Sequence, residues 1–193
     1  MQCRWKAAEF FAIAVAGKVQ AEKHLQAISW QKPPAGWAKL NTDGSSRDNA
    51  GGGGGILRNE HGNWINGFAR NCEKVNSIMA ELWALRDGLQ MVATENIHNL
   101  IVELDALAVV QLMKNSIVNL YLELLLTDCR LLLRKFPNLR VEHTYKEANK
   151  CADALAHIGS ISDVPFILFA HPSPVVDQLC TLDIERAFCN RLI

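Results

Sequence analysis

Four carboxylates stand at places in this sequence where their surroundings are specific. Asp43 closes a short alternating segment just before Gly44, Glu81 lies on a segment of helical periodicity, Asp105 follows the apolar run Leu100 to Leu104, and Asp153 falls between Ala152 and Ala154. Taken singly, three of them have ordinary readings: Asp43 opens a turn, Asp105 caps a helix beginning at Ala106, and Asp153 is a surface position on a tightly packed helix. Glu81 fits less well as a solvated residue. At ~100° per residue it lies about 70° from the middle of the apolar stripe Ile78, Leu82, Leu85, Leu89 and Val92, on the shoulder that faces a sheet. If two strand ends and two helices bring these acids to one sheet edge, their like charges repel unless cations hold them. Oxygen donors select a hard cation such as magnesium, and two such cations roughly 4 Å apart can activate a water and stabilise the leaving oxygen of a phosphodiester.

The elements that must position these acids can be read from periodicity. Ala38 to Asp43 alternates as a short strand. Gly53 to Arg58 and Trp64 to Asn71 follow, joined by the turn residues Asn59 to Gly62, which predicts a hairpin. Asn76-Ser77 offers an N-cap to the helix that carries Glu81 and ends near Glu95-Asn96. Leu100 to Leu104 reads as a strand, Ala106 to Met113 as a helix, and Tyr121 to Phe136 as a Leu-rich helix stopped by Pro137. Leu139 to Tyr145 alternates as a fifth strand, and Glu147 to Ile158 is an alanine-rich helix. The order β-β-β-α-β-α-β-α predicts an α/β fold: a five-stranded mixed sheet flanked by helices. Gly51 to Gly55 lacks the G-K-[ST] ending of a P-loop, so close backbone packing or a bulge explains it better than phosphate binding.

Outside this block the pattern changes. Residues 1–36 carry five basic and two acidic side chains and end in Trp30-Gln-Lys-Pro-Pro-Ala-Gly36, an N-terminal arm or linker in which Arg4 to Leu25 is a candidate amphipathic helix. Residues 37–159 form the expected domain. Residues 160–193, broken by Pro165, Pro172 and Pro174, read as an irregular C-terminal arm.

Composition excludes several classes. Of 193 residues 49% are apolar and 21% charged, a globular profile rather than a disordered or collagenous one. No run approaches the 18 apolar residues of a membrane span, so no membrane partner is expected. The six cysteines form no C-x-x-C pair and read as buried free thiols, which favours an intracellular setting, nuclear or cytoplasmic. Twenty basic residues balance twenty acidic ones, so any polyanion must be held by local patches or bound cations.

The segments Lys39-Leu-Asn-Thr-Asp-Gly-Ser45, Gly53 to Arg58, Ala80 to Leu85, Val102-Glu-Leu-Asp-Ala106 and Glu147 to Ala156 together resemble a ribonuclease H type-1-like domain. They are most similar to the plant subfamily related to non-LTR retrotransposon reverse transcriptases, over about residues 30 to 160. The resemblance implies a ribonuclease H-like fold and makes Asp43, Glu81, Asp105 and Asp153 catalytic, metal-binding acids. They would hold two magnesium ions, with manganese as a substitute. It makes His143, ten residues before Asp153, a loop histidine assisting proton transfer or product release, against the alternative of an ordinary strand residue. Gly44, Ser45 and Asn149 match positions near the substrate.

The implied activity is a magnesium-dependent endonuclease that cuts the RNA strand of an RNA-DNA hybrid and leaves a 5′-phosphate. Between Val109 and Leu139, however, the basic residues are only Lys114, Arg130, Arg134 and Lys135, and residues 37–159 hold 13 basic and 14 acidic groups. Weak intrinsic hybrid binding follows, because phosphate contacts supply much of the affinity for nucleic acid. Two alternatives stay open: a catalytically silent module that binds nucleic acid or protein, and a retroelement-derived fragment without an independent role.

Overall fold

The computed structural model describes residues 25–47, 50–114 and 121–192. Most of the basic arm, including the candidate helix before Leu25, lies outside them. The described residues divide into two units, a small one that includes residues 25–27 and 190–192 and a large one within Ile28–Cys189. A two-stranded sheet pairs β1 (Leu25–Ile28) with β8 (Cys189–Leu192).

The large unit is built on a six-stranded sheet of β2 (Ala38–Arg47), β3 (Ala50–Arg58), β4 (Trp64–Glu73), β5 (Asn99–Leu104), β6 (Asn138–His143) and β7 (Phe166–Phe169) in the order β6-β5-β2-β3-β4-β7. The pairs β2·β3, β3·β4 and β4·β7 are antiparallel, while β5 runs parallel to both β2 and β6. The sheet is therefore mixed. Its helices are α1 (Ser77–Val92), α2 (Leu107–Lys114), α3 (Glu123–Leu133), α4 (Lys150–Ser160) and α5 (Pro174–Ile184).

Two apolar clusters cover the two faces. On one, Leu82, Leu85 and Leu89 of α1 pack with Leu40, Leu57 and Leu104 of the strands and with Leu126 and Cys129 of α3. On the other, Cys151, Ala152 and Leu155 of α4 pack against Ile56, with Val176 and Cys180 of α5 outside them. The polyglycine strand permits this second packing: a methyl group on Gly52 or Gly54 would overlap the backbone of α4 at Ala156. The glycines thus serve close approach, as the sequence led us to expect. Asn76 caps α1, its side chain accepting from the Met79 amide at 2.9 Å.

The expected architecture holds, with additions. The sheet has six strands rather than five, and residues 160–193, expected as an irregular arm, supply β7 and α5. Two local reasons hid them. A four-residue strand after a proline carries too little alternation to read, and only the free edge of β4 gives Phe166–Phe169 its hydrogen bonds. The ring of Phe166 stacks on Phe68 at 5.7 Å. Pro174, taken as a breaker, opens α5 at a position where a helix has no use for an amide hydrogen.

Candidate functional site

Asp43 sits in the middle of β2, which does not close at this residue as expected but continues to Arg47 because β3 pairs with it that far; Glu81 lies on the second turn of α1, and Asp105 directly after β5. Since β2 and β5 run parallel and their pairing stops at Thr42 and Leu104, the next residues, Asp43 and Asp105, emerge side by side at the edge where β5 ends. Glu81 arrives from the helix packed across that edge. Gly44 makes its arrival possible, because any side chain there would overlap the backbone of Ala80 and Glu81. One oxygen from each of Asp43, Glu81 and Asp105 lies within 4.8 Å of the others.

Burial and mutual repulsion make this cluster resist ionisation. Asp43 is pushed up to about 7, first by burial and then by the charges of Asp105 and Asp153. Glu81 rises further, to about 9, through burial and the nearby Asp43 and Asp105, although the Gly44 amide donates to it. Asp105 is raised as well, chiefly by burial. The Oε2 atom of Glu81 is buried with no hydrogen-bond partner in the protein.

Asp153, on the first turn of α4, lines the same cleft of about 220 Å³ together with Gly44 and Ser45. It does not join the tight group of three. Its Oδ1 is held at 2.9 Å by Lys146 Nζ, from the short 3-10 turn Lys146–Ala148. Lys146 is the residue that sequence reasoning passed over. Its place seven residues before Asp153 means nothing until the chain turns into α4 and brings the two together. Asp153 in turn holds Lys146 above the usual lysine range. Ser46, unremarked in the sequence, and Ser77, read there only as part of an N-cap, complete the wall of the cleft.

The remaining candidates fall into different positions. His143 is the last residue of β6, exposed, with Nε2 3.1 Å from the Asp105 carbonyl and its ring edge-on to Tyr145. It adjoins the site without lining the cleft. Asn149 is 1% exposed and donates to the Thr42 carbonyl at 2.9 Å. It is thus placed behind the acids, tying the entry of α4 to the strand that carries Asp43.

One pleat back from Asp43 and Asp105, Asn41 and Glu103 pair across β2 and β5. Asn41 donates to Glu103 at 2.9 Å, and Lys39 reaches the other Glu103 oxygen at 2.5 Å. Arg58 and Trp30 both donate to Asn41 Oδ1, Arg58 lies 3.6 Å from the Trp30 ring, and its Nη1 pairs with Asp183 at 2.7 Å. A connected polar layer of this kind is rigid, because breaking any member strands a buried charge; within it Arg58 Nε alone of the guanidinium nitrogens has no hydrogen-bond partner.

The donor set fits a divalent cation. Three carboxylates supply hard oxygens at bonding separation, one of them carries an orphaned buried oxygen, and the repulsion among them is relieved by positive charge. Among the described residues this is the only such group.

A family model described as reverse transcriptase-like matches residues 41–159, which include all four acids. A protein of Arabidopsis thaliana, provisionally named a ribonuclease H protein, is 37% identical over 133 residues; these make up 67% of this chain and 22% of that relative, so the chain spans about a fifth of its length. Among solved structures, the N-terminal RNase H domain of a Mycobacterium tuberculosis protein superposes with a TM-score of 0.61 at 22% identity, over 64% of this chain and 93% of the other. LC11-RNase H1, crystallised with an RNA/DNA hybrid, gives 0.59 at 21% identity, over 64% and 96%. With a six-stranded mixed sheet of this topology and a matched stretch that runs from the strand of Asp43 to the helix of Asp153, the chain belongs to the reverse transcriptase-like family and carries its ribonuclease H-type domain.

Proposed function

We propose that the chain is a divalent-metal-dependent endonuclease that hydrolyses the RNA strand of RNA-DNA hybrids. The observation that carries this reading is the convergence of Asp43, Glu81 and Asp105 where β5 ends beside β2, with Asp153 in the same cleft. These four would hold two magnesium or manganese ions, which when bound would supply Lewis-acid activation of a water and neutralise the leaving oxygen. The protein's own groups do the positioning. The Gly44 amide orients Glu81, Asn149 fixes the strand end that bears Asp43, and the Asn41–Glu103 layer holds β2 and β5 in register. Lys146 pairs with Asp153 and would compete with a metal for that carboxylate. Exposed His143, anchored on the Asp105 carbonyl, is within the neighbourhood where a proton is delivered or product leaves. Ser45 and the Gly44 backbone line the cleft where the sugar-phosphate chain of the RNA would run, and discrimination of RNA would rest on its 2′-hydroxyls.

A second reading, binding without cleavage, draws on the Lys146–Asp153 ion pair and the near-neutral charge of residues 37–159. Incubation of the chain with an end-labelled hybrid in magnesium and in chelator separates the two. Magnesium-dependent cuts in the RNA strand alone, ending in 5′-phosphate and 3′-hydroxyl, support the nuclease. A hybrid bound but intact at saturating magnesium and manganese would transfer the reading to the binding module.

A further inference from the structure

On the α4 face, away from the carboxylates, two cysteines from different helices meet. Cys151, in the first turn of α4, has its Sγ 3.8 Å from Sγ of Cys180, in the middle of α5. That is sulfur-sulfur contact, and a bond of about 2.05 Å needs the atoms to close by less than 2 Å, within reach of side-chain rotation. The surroundings are not those of an inert apolar core. Arg58 Nη1 stands 3.9 Å and Asp183 Oδ2 3.4 Å from Cys151 Sγ. The two thiols are in hydrogen-bond contact with each other, and Cys151 also reaches Asp183. Cys180 is also the more open of the two, at 6% exposure against 1%.

From this geometry we infer that Cys151 and Cys180 form a reversible disulfide, a covalent latch fastening the C-terminal helix α5 to the helix that carries Asp153. The co-reactant is a small-molecule disulfide. The sulfur of Cys180 attacks it, the disulfide bond of the reagent breaks, and one thiol leaves. Cys151 sulfur then attacks the mixed disulfide at Cys180, releasing the second thiol. The two protons lost from the cysteines end on the two reagent thiols, and a dithiol reverses the sequence. The latch has a structural use. Short α5 is held to the body by Val176, Leu179, Cys180 and the charged contact of Asp183 with Arg58, while Val175 and Leu182 face solvent. The bond closes a loop of chain that contains β7, so it restricts opening of the whole C-terminal segment. None of this depends on the metal site.

The test uses the full chain equilibrated in glutathione redox buffers, trapped by acid and alkylation, digested, and mapped by mass spectrometry. The expected result is a linked peptide pair joining Cys151 to Cys180, lost on dithiol treatment. It should be accompanied by a rise in Tm on the order of 5–10 °C. Cys180→Ala should show neither the link nor any glutathione-dependent change in Tm. Should that variant fail to fold, comparison of the parent chain in native buffer and in guanidinium still decides, because a latch built into the fold forms only in the former. Absence of the 151–180 pair when Cys72 or Cys189 has reacted, a pair formed only in guanidinium, or preferential linkage of Cys180 to Cys189 would each overturn the inference.

Discussion

Lys146 and Asp153 form an ion pair at 2.9 Å on the rim of the acid cleft, so the protein carries its own cation beside the carboxylates. Both side chains are about half exposed, and the pair is correspondingly weak, but its position makes Lys146 a competitor for any divalent ion that calls on Asp153. Lys146→Gln should therefore tighten magnesium binding by roughly two- to fivefold, the range of an exposed ion pair. Thermal melts across a magnesium titration would measure this without reference to activity. Unchanged or weaker binding would mean that Lys146 does not oppose the metal.

The raised carboxyls set a pH dependence. A carboxyl whose folded pKa lies above its unfolded value binds protons more tightly in the native state, so stability falls as pH rises between the two values. For Asp43 that window runs from about 4 to about 7, and for Glu81 from about 4.5 to about 9. In chelator the chain should lose stability progressively from acid to mildly alkaline pH, and magnesium should restore more of it at pH 8 than at pH 5. Denaturant melts with and without magnesium across this range check the slope; stability that rises with pH in chelator would show that the cluster is not under strain.

Asp43→Asn removes one repelling, desolvated charge while keeping the shape of the side chain. Without metal it should stabilise the fold at pH 8 by roughly 1–3 kcal/mol, since a buried carboxylate need no longer be ionised. With magnesium it should cut hybrid cleavage by about a thousandfold or more, because a ligand charge is gone. Chemical denaturation and a single-turnover assay read the two effects separately. Cleavage close to that of the parent would place the metal elsewhere.

Gly44→Ala tests the contact between strand and helix. The added methyl group meets the backbone of Ala80 and Glu81, which cannot rotate away, so α1 must shift outward. A loss of roughly 1–3 kcal/mol is expected, the usual consequence of overpacking, together with a sharp fall in cleavage as Glu81 leaves the cluster. A variant as stable and as active as the parent would show that helix and strand have slack at this point.

Much of this protein was legible along the chain. The stripe Ile78, Leu82, Leu85, Leu89, Val92 located the helix of Glu81 and even its inward shoulder, and Asn76 announced the cap that the structure shows. Alternation marked β2, and turn residues between two runs marked the β3–β4 hairpin, because both are signals carried by neighbouring residues. The four acids were picked out by their places on these elements, but singly three of them had ordinary readings, and the family resemblance is what joined them as a set. What the sequence could not carry is anything decided between elements distant in the chain. The edge strand Phe166–Phe169 exists because β4 offers unpaired backbone groups, and Pro174 begins a helix instead of ending one because α4 gives that helix a face to pack on. Asn149 turned inward to the Thr42 carbonyl, and Lys146 came to Asp153, through a turn whose direction is set by packing rather than by residue type. Local propensity is written in neighbouring residues, whereas burial, charge pairing and the pKa values they impose arise only when tertiary structure excludes water and selects which charges meet.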